Sequence, residues 1–391
     1  MSLTYIDLFC GIGGFHQVLR KLNCKCILAC DIDKDCRKSY KLNYNIEPVK
    51  DVKEIIPEDL EDFDIICAGF PCQAFSNGGK KKCFDDSRGL LFDEIIRIAN
   101  VKKPKFMFLE NVKHILKVSN GEVIEYIKDK IDKCGYKLQL FNMSPHEYGI
   151  PQQRERIYFV CVRKDIYNVY KDDIQLIHPK TKPCLEKFLD ENVNEKYYIK
   201  EDILNCLEAW DEIIKKFKKD EKISPTIMIN DYNKFYSDEE FNELAKWRRE
   251  YITKNLPLIE KYQVEFDDFY AKHNEILTKR VIYGQLDWQA GKIKQGDSIF
   301  NYFIQIRQSG IRVKKAEYFP TLVAISQIPI YGKEKRYITP RECARLQGFP
   351  EDFILDPSDK ISYKQFGNSV CVDNVNNVIE SCLNKYNVID F

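Results

Sequence analysis

Short apolar runs that stop abruptly at a glycine, a proline or an acid, with helix-like stretches between them, constrain this chain most. Thr4 to Phe9, Cys26 to Cys30, Phe63 to Ala68, Phe106 to Leu109 and Ile157 to Val162 each read as a buried strand. His16 to Leu22 and Leu90 to Val101 read as helices, the second with Phe92, Ile95, Ile96 and Ala99 on one face. Strands and helices in alternation imply an α/β fold with a doubly wound, mostly parallel sheet. In such sheets ligands and chemistry gather just outside the carboxyl ends of the strands, so the residues at the strand tips are the functional candidates.

The first tip is a glycine-rich turn, Cys10-Gly11-Ile12-Gly13-Gly14-Phe15, which lets the backbone approach a ligand at a helix N-terminus. It is not the G-x-G-x-x-G pattern of a dinucleotide site. The second strand ends in Asp31, where nucleotide folds grip a ribose hydroxyl, and Asp51-Val52 follows the extended stretch Ile46 to Lys50. Each acid would also serve as an ordinary helix cap, but with the glycine turn they outline an adenosine pocket. The strand Phe63 to Ala68 stops at Gly69 and Pro71, which puts Cys72 on a constrained turn ahead of the polar loop Asn77 to Arg88. A buried structural cysteine is the commoner fate of that residue type. Its neighbours argue otherwise: Glu110 tops the adjacent strand, and Gln153-Arg154-Glu155-Arg156 brings two arginines towards the same face.

A chain of 391 residues, 44% hydrophobic, has room for two domains with cores of their own. No apolar run reaches the roughly 18 residues that a membrane span needs. The start MSLTYIDLF has no export-signal pattern, so a cytoplasmic protein (bacterial cytoplasm or nucleoid) is expected. The 15 cysteines then read as reduced thiols. Cys24, Cys26, Cys30 and Cys36 lack paired ligand spacing, so no metal is expected. A net charge of +1 points to no acidic partner, whereas Lys80-Lys81-Lys82 and the basic stretch Gln305 to Lys315 matter by position. Composition shifts near Tyr170 towards Lys, Asp, Glu and Tyr, with amphipathic helical stretches at Lys200 to Lys216 and Asp238 to Lys254. Thr339 to Gly348 reads as a helix with a Thr cap, Pro at its first position and a Gly stop, and Gly367-Asn368-Ser369 turns into a last helix, Val372 to Leu383. The expected division is a catalytic domain over 1–175, a smaller domain over 176–338, and a segment over 339–391 that completes the first.

Six blocks in this order resemble the cytosine-5 DNA methyltransferases, in particular those of bacterial restriction-modification systems. They are Asp7 to Gly14, Pro71-Cys72-Gln73, Glu110-Asn111-Val112, Gln153 to Arg156, Arg341 to Arg345, and Gln365 to Val370. The resemblance implies an S-adenosylmethionine-dependent methyltransferase fold with an inserted target-recognition domain. It makes Cys72 the nucleophile that adds to carbon 6 of a flipped-out cytosine. Glu110 would protonate ring nitrogen 3, Arg156 would hold the exocyclic oxygen, and Arg154 would supply positive charge.

For the cofactor, with S-adenosylhomocysteine as product, the resemblance assigns Phe9, Gly11, Ile12 and Gly14 to the methionine and ribose end. Asp31 takes the ribose hydroxyls, Ile32 packs on adenine and Asp51 bonds its amine, while Val52, Pro71, Leu91, Asn368 and Ser369 complete the pocket. The family more often carries Glu where this chain has Asp31, and Asp reaches less far.

The implied partner is double-stranded DNA, with Ser76, Lys80 and Arg88 on phosphates and Arg307, Gln308, Arg312, Lys314 and Thr321 in the DNA-reading region. A monomer with a separately acting cognate restriction endonuclease is expected. Gly78-Gly79 stands where relatives can carry a side chain that fills the vacated stack. Two other readings use the same blocks. A tRNA cytosine-5 methyltransferase would carry a Cys-Phe-Thr motif that is absent here; an inactive DNA-binding regulator would have no need of Cys72, Glu110 and Arg156 together.

Overall fold

Each apolar run forms a strand because helices cover both faces of one sheet. In this computed structural model, residues 2–71, 90–223, 226–232, 234, 236–315, 317–323 and 327–388 are described. Cys72, Ser76, Lys80 and Arg88, with Gly78-Gly79, lie outside the described residues. The strands β1 (Thr4–Leu8), β2 (Lys25–Cys30), β3 (Ile65–Gly69), β4 (Phe106–Val112), β5 (Tyr136–Met143) and β6 (Arg156–Arg163) line up as β2-β1-β3-β4-β6-β5. β1 to β4 run parallel, and β6 runs antiparallel to both of its neighbours. The order reverses at β1, with β2 on one side and β3 on the other. The carboxyl ends of β1 and β3 therefore flank a topological switch point, where open sheets of this kind bind ligands.

The helices of this unit are α1 (Gly14–Lys21), α2 (Lys34–Tyr44), α3 (Leu90–Lys102), α4 (Glu122–Lys133) and α5 (Lys164–Tyr170). Phe92, Ile95 and Ala99 of α3 and Val123, Ile127 and Ile131 of α4 share one buried core with Ile6, Ile66, Ala68, Met107 and Leu109 of the sheet. β4 runs longer than its apolar stretch. Pairing with β6 continues through Glu110↔Tyr158, Asn111↔Ile157 and Val112↔Arg156, so Glu110 lies within the strand rather than beyond it. The stretch Ile46 to Lys50 makes a single bridge, Cys30↔Val49, rather than a strand.

The chain divides into two compact units, residues 1–188 with 340–391, and 189–339. Residues 176–188, which the composition shift placed with the second unit, pack in the first: the Ile177 N–H donates to Ser381 Oγ at 2.9 Å, and the Thr181 N–H to the Glu147 carbonyl at 2.8 Å.

In the second unit, α6 (Glu201–Lys216), α7 (Asp238–Glu243), α8 (Lys246–Lys261) and α9 (Gln263–Thr278) accompany a sheet of order β12-β11-β9-β10-β8-β7. These strands are β7 (Ile227–Met228), β8 (Gln285–Trp288), β9 (Phe303–Arg307), β10 (Gly310–Lys314), β11 (Ile330–Tyr331) and β12 (Arg336–Tyr337). The helical stretch expected over Asp238 to Lys254 breaks in two, because Leu244 and Ala245 are extended between α7 and α8.

The chain then returns to the first unit as α10 (Pro340–Leu346), α11 (Asp359–Asn368) and α12 (Val372–Lys385). α12 packs on α1 through a buried face that includes Val375, Ile379 and Leu383. Gln365 laces this segment to α2, its amide donating to the Asp35 carbonyl at 3.1 Å and to Ser39 Oγ at 2.9 Å.

Candidate active site

A cleft of about 550 Å³ lies at the carboxyl ends of the parallel strands of the first unit. The β1 tip contributes Phe9 and Gly11, and the β2 tip Asp31 and Ile32, followed by Asp33 and Cys36. From the β3 tip come Gly69, Phe70 and Pro71; from β4 and the turn after it come Glu110, Asn111, Val112 and His114. Arg154 and Arg156 enter from the start of β6, and Gln365, Gly367, Asn368 and Ser369 from the C-terminal segment.

The glycines of the first turn do different jobs. Gly11 has φ +54°, and a Cβ there would meet nothing within 4 Å, so its backbone faces open space on the cleft side. At Gly14 a Cβ would come within 2.4 Å of Val370 Cγ2; this glycine lets the C-terminal segment press onto α1 and does not line the cleft. Phe9, at φ +53°, holds a backbone conformation uncommon for a bulky side chain, and such strain clusters at ligand sites.

Asp31 ties the two neighbouring tips together. Its Oδ2 accepts the Gly11 N–H and its Oδ1 the Asp33 N–H, both at 2.8 Å. Burial raises its pKa, and those two backbone donors oppose the shift. Next to it Ile32 stands 69% exposed on the cleft wall.

Opposite charges meet on the β4 side. Arg156 Nε lies 3.0 Å from Glu110 Oε1, and the Glu110 side chain is almost wholly buried. Burial raises the Glu110 pKa, while Arg156 and then Arg154 pull it back. Arg154 is buried at 2% exposure and donates through Nη2 to the Gly367 carbonyl at 3.0 Å and the Ser369 carbonyl at 2.9 Å. Burial, then Arg156, lowers its pKa to about 9, which leaves the guanidinium charged at neutral pH. It therefore serves as a buried tie between β6 and the C-terminal segment. Arg154→Ala is expected to strip two buried carbonyls of a charged donor and to cost about 2–5 kcal/mol, read as a fall in denaturation midpoint. A midpoint unchanged from the parent protein would show that the tie carries no weight.

Asn111 is a supporting residue that the strand-tip reading passed over. Its amide donates to the Phe70 carbonyl at 2.9 Å, and so fixes the last residue before Pro71. The available signal was its place directly after Glu110 on the strand next to β3. His114 has no sequence signal, while Gln365 stood only as part of a matching block and Cys36 only among cysteines without ligand spacing. Ile12, Gly14, Asp51, Val52 and Leu91 do not line this cleft. Asp51 caps a short 3-10 turn, accepting the Lys53 N–H at 3.0 Å, and Val52 is buried behind it.

In the second unit, Arg307 and Gln308 close β9 and its turn, Arg312 and Lys314 lie on β10, and Thr321 follows in the stretch 317–323. Among the described residues no group of His, Cys, Asp and Glu is arranged to hold a metal ion.

A family model for C-5 cytosine-specific DNA methylase matches residues 3–384. The chain belongs to the C-5 cytosine-specific DNA methylases. As a methylase of this family it is a DNA cytosine-5 methyltransferase that uses S-adenosylmethionine. It is similar to the type II methyltransferase M.HhaI of Haemophilus parahaemolyticus, at 30% identity over 372 residues covering 95% of this chain and 91% of that one. It is also similar to the type II methyltransferase M.HpaII of Haemophilus parainfluenzae, 31% identical with 95% and 86% covered. Solved structures share the methylase's fold. The Entamoeba histolytica methyltransferase EhMeth aligns with a TM-score of 0.58 at 23% identity, over 98% of both chains. A DNA modification methyltransferase encoded in an E. coli prophage aligns with a TM-score of 0.59 at 20% identity, over 99% and 100%.

Proposed function

We propose that the cleft of the first unit is where the methyl group is moved, and that the second unit selects the DNA sequence. One observation carries this reading. The open glycine turn and Asp31 line the same cleft as the Glu110–Arg156 pair, so a nucleoside cofactor and a base would share one chamber.

The residues present fit S-adenosylmethionine. Ile32 offers an uncovered apolar face for adenine, Asp31 a carboxylate beside the turn, and the Gly11 backbone an unobstructed approach. When bound, the cofactor supplies an electrophilic methyl group. The chain's own part is to make carbon 5 of cytosine nucleophilic. Cys72 would add as thiolate to carbon 6 of the flipped-out base, while Glu110 passes a proton to nitrogen 3 to balance the charge. Arg156, held against Glu110, would orient the exocyclic oxygen. After transfer, a base would remove the carbon 5 proton, the carbon 6–sulfur bond would break to release the Cys72 thiolate, and nitrogen 3 would return its proton to the Glu110 carboxylate. Phe9, Pro71, Asn368 and Ser369 line the same chamber, and Arg154 would add positive charge to it.

The relatives bear the name type II methyltransferase, which supports a place beside a separately acting restriction endonuclease. No helix among the described residues is long and apolar enough to cross a membrane. The test is transfer of labelled methyl from S-adenosylmethionine to mixed-sequence duplex DNA and, in parallel, to tRNA, followed by bisulfite sequencing. Label is expected in duplex DNA, at cytosines of one short sequence. Label in tRNA alone would assign the substrate to RNA, and label in neither would mark an inactive binding protein.

A further inference from the structure

The second unit holds a set of side chains whose pairing says more than their charge. β9 and β10 form an antiparallel hairpin with Arg307 opposite Gly310 and Gln305 opposite Arg312, and β10 also pairs in parallel with β8, where Asp287 is level with Arg312. One face of these strands is core: Leu286, Ile304, Ile311 and Val313 are fully buried. Side chains alternate along a strand and pair across it, so Asp287, Gln305, Arg307, Arg312 and Lys314 share the other face.

Two of these cations are held in place. Arg312 Nε lies 2.8 Å from Asp287 Oδ2. The Arg307 Nη2 donates to Gln305 Oε1 at 2.8 Å, and Gln305, itself fully buried, donates to the Gln327 carbonyl at 3.3 Å. Both arginines are half-buried, with their conformations set by neighbours. Burial lowers the pKa of Arg307 and of Lys314, as does repulsion within this cation cluster, while Asp287 opposes it.

We propose that Asp287 and Gln305 are specificity-positioning residues, which aim Arg312 and Arg307 at the O6/N7 edges of guanines in the target duplex. The inference rests on the reading of the second unit as the sequence-selecting one. Two physical points favour base edges over phosphates for the arginines. A carboxylate against Arg312 weakens the net positive field that a phosphate would feel, whereas a neutral base edge responds to the geometry of the donors. The orientation of each guanidinium fork is fixed in advance, so it meets the two acceptors of a guanine edge with less side-chain freedom lost on contact. A phosphate needs only charge within reach, which the single ammonium of Lys314 can provide. The recognised sequence must then contain guanine at the positions these arginines meet.

The test is the base preference of each variant, read by bisulfite sequencing after methylation of a duplex library randomised around the target site. Asp287→Asn and Arg312→Lys are expected to relax selectivity at one and the same guanine. Methylation of the cognate sequence should fall about 5- to 150-fold while the other positions stay selective. Lys314→Ala is expected to weaken binding to all sequences alike and to reduce the salt slope by about one. A recognised sequence without guanine, or Asp287→Asn and Arg312→Lys lowering affinity with base preference unchanged at every position, would overturn the proposal. Arg312→Ala with unchanged affinity, salt slope and site preference would instead overturn the reading of the second unit. Should Asp287→Asn fail to fold, Arg312→Lys examines the same contact with the carboxylate intact.

Discussion

Cys72→Ala is expected to lower methyl transfer by ~10⁴-fold or more, while duplex affinity stays within a few-fold of the parent enzyme. The expectation follows from the family chemistry and from the turn that leads to Cys72. β3 ends at Gly69, and the Phe70 carbonyl is held by Asn111, so the chain passes into Pro71 along a fixed path beside Glu110. Carbon 5 of cytosine gains nucleophilic character only after addition at carbon 6, and the thiol among the described residues of the cleft wall, Cys36, is held neutral by burial, which raises its pKa. The decisive reading is single-turnover transfer of labelled methyl, paired with denaturing electrophoresis on a 5-fluorocytosine duplex. Fluorine at carbon 5 blocks the final proton removal, so the parent enzyme should remain attached and the alanine variant should not. Covalent attachment by the alanine variant would exclude Cys72 as the nucleophile.

The sheet was legible where local chemistry and tertiary position agree. Central strands buried on both faces must be apolar throughout, and a tip must stop at a residue that breaks the ladder or accepts backbone donors. That is why β1, β3, β4 and β6 could be read from composition and punctuation alone, and the edge strand β2 from the unbroken apolar run that ends at Asp31. β5 escaped because, unlike the other edge strand β2, its apolar run is broken. Lys137, Gln139 and Asn142 interrupt its apolar positions, and it owes its pairing to β6. The second unit was harder for the same reason: β7, β11 and β12 are two residues each, too short to leave a periodic pattern. The division at Phe188 was missed because composition reports the solvent-facing surface, whereas residues 176–188 belong to the first unit through hydrogen bonds to distant residues such as Ser381.

The site was legible as a set of tips, less so as a division of labour within each tip. Spacing made Gly11 and Gly14 equivalent, yet one leaves open space and the other admits Val370. Asp31 and Asp51 were equivalent tip acids, yet Asp31 lines the cleft and Asp51 caps a turn. These distinctions depend on segments hundreds of residues away, such as Gln365 to Val370, and no local pattern encodes them. Arg154 and Arg156, two residues apart, share the same cleft wall but face different partners, one the Gly367 and Ser369 carbonyls and the other Glu110.

Glu110→Gln is expected to slow methyl transfer about 10²- to 10⁴-fold with cofactor and duplex affinity largely kept. Glutamine is the informative change because its amide oxygen can still accept from Arg156 Nε, so the half-buried guanidinium keeps a hydrogen-bond partner although the opposite charge is removed. What the amide lacks is a proton to give to nitrogen 3. The pH dependence separates this role from simple binding. Burial raises the Glu110 pKa against the pull of Arg156 and Arg154, so the proton-bearing form persists to higher pH than for an exposed glutamate. A reaction that needs that form loses rate as pH rises through the raised pKa. The same sign holds for stability: the contribution is present in full below the unfolded-state value and is lost as pH rises through the folded one. Single-turnover rates across pH should show a falling alkaline limb in the parent enzyme that is absent from Glu110→Gln. A limb of the same midpoint in both would mean that another group carries the proton, and an unchanged rate in Glu110→Gln would remove the acid from the mechanism altogether.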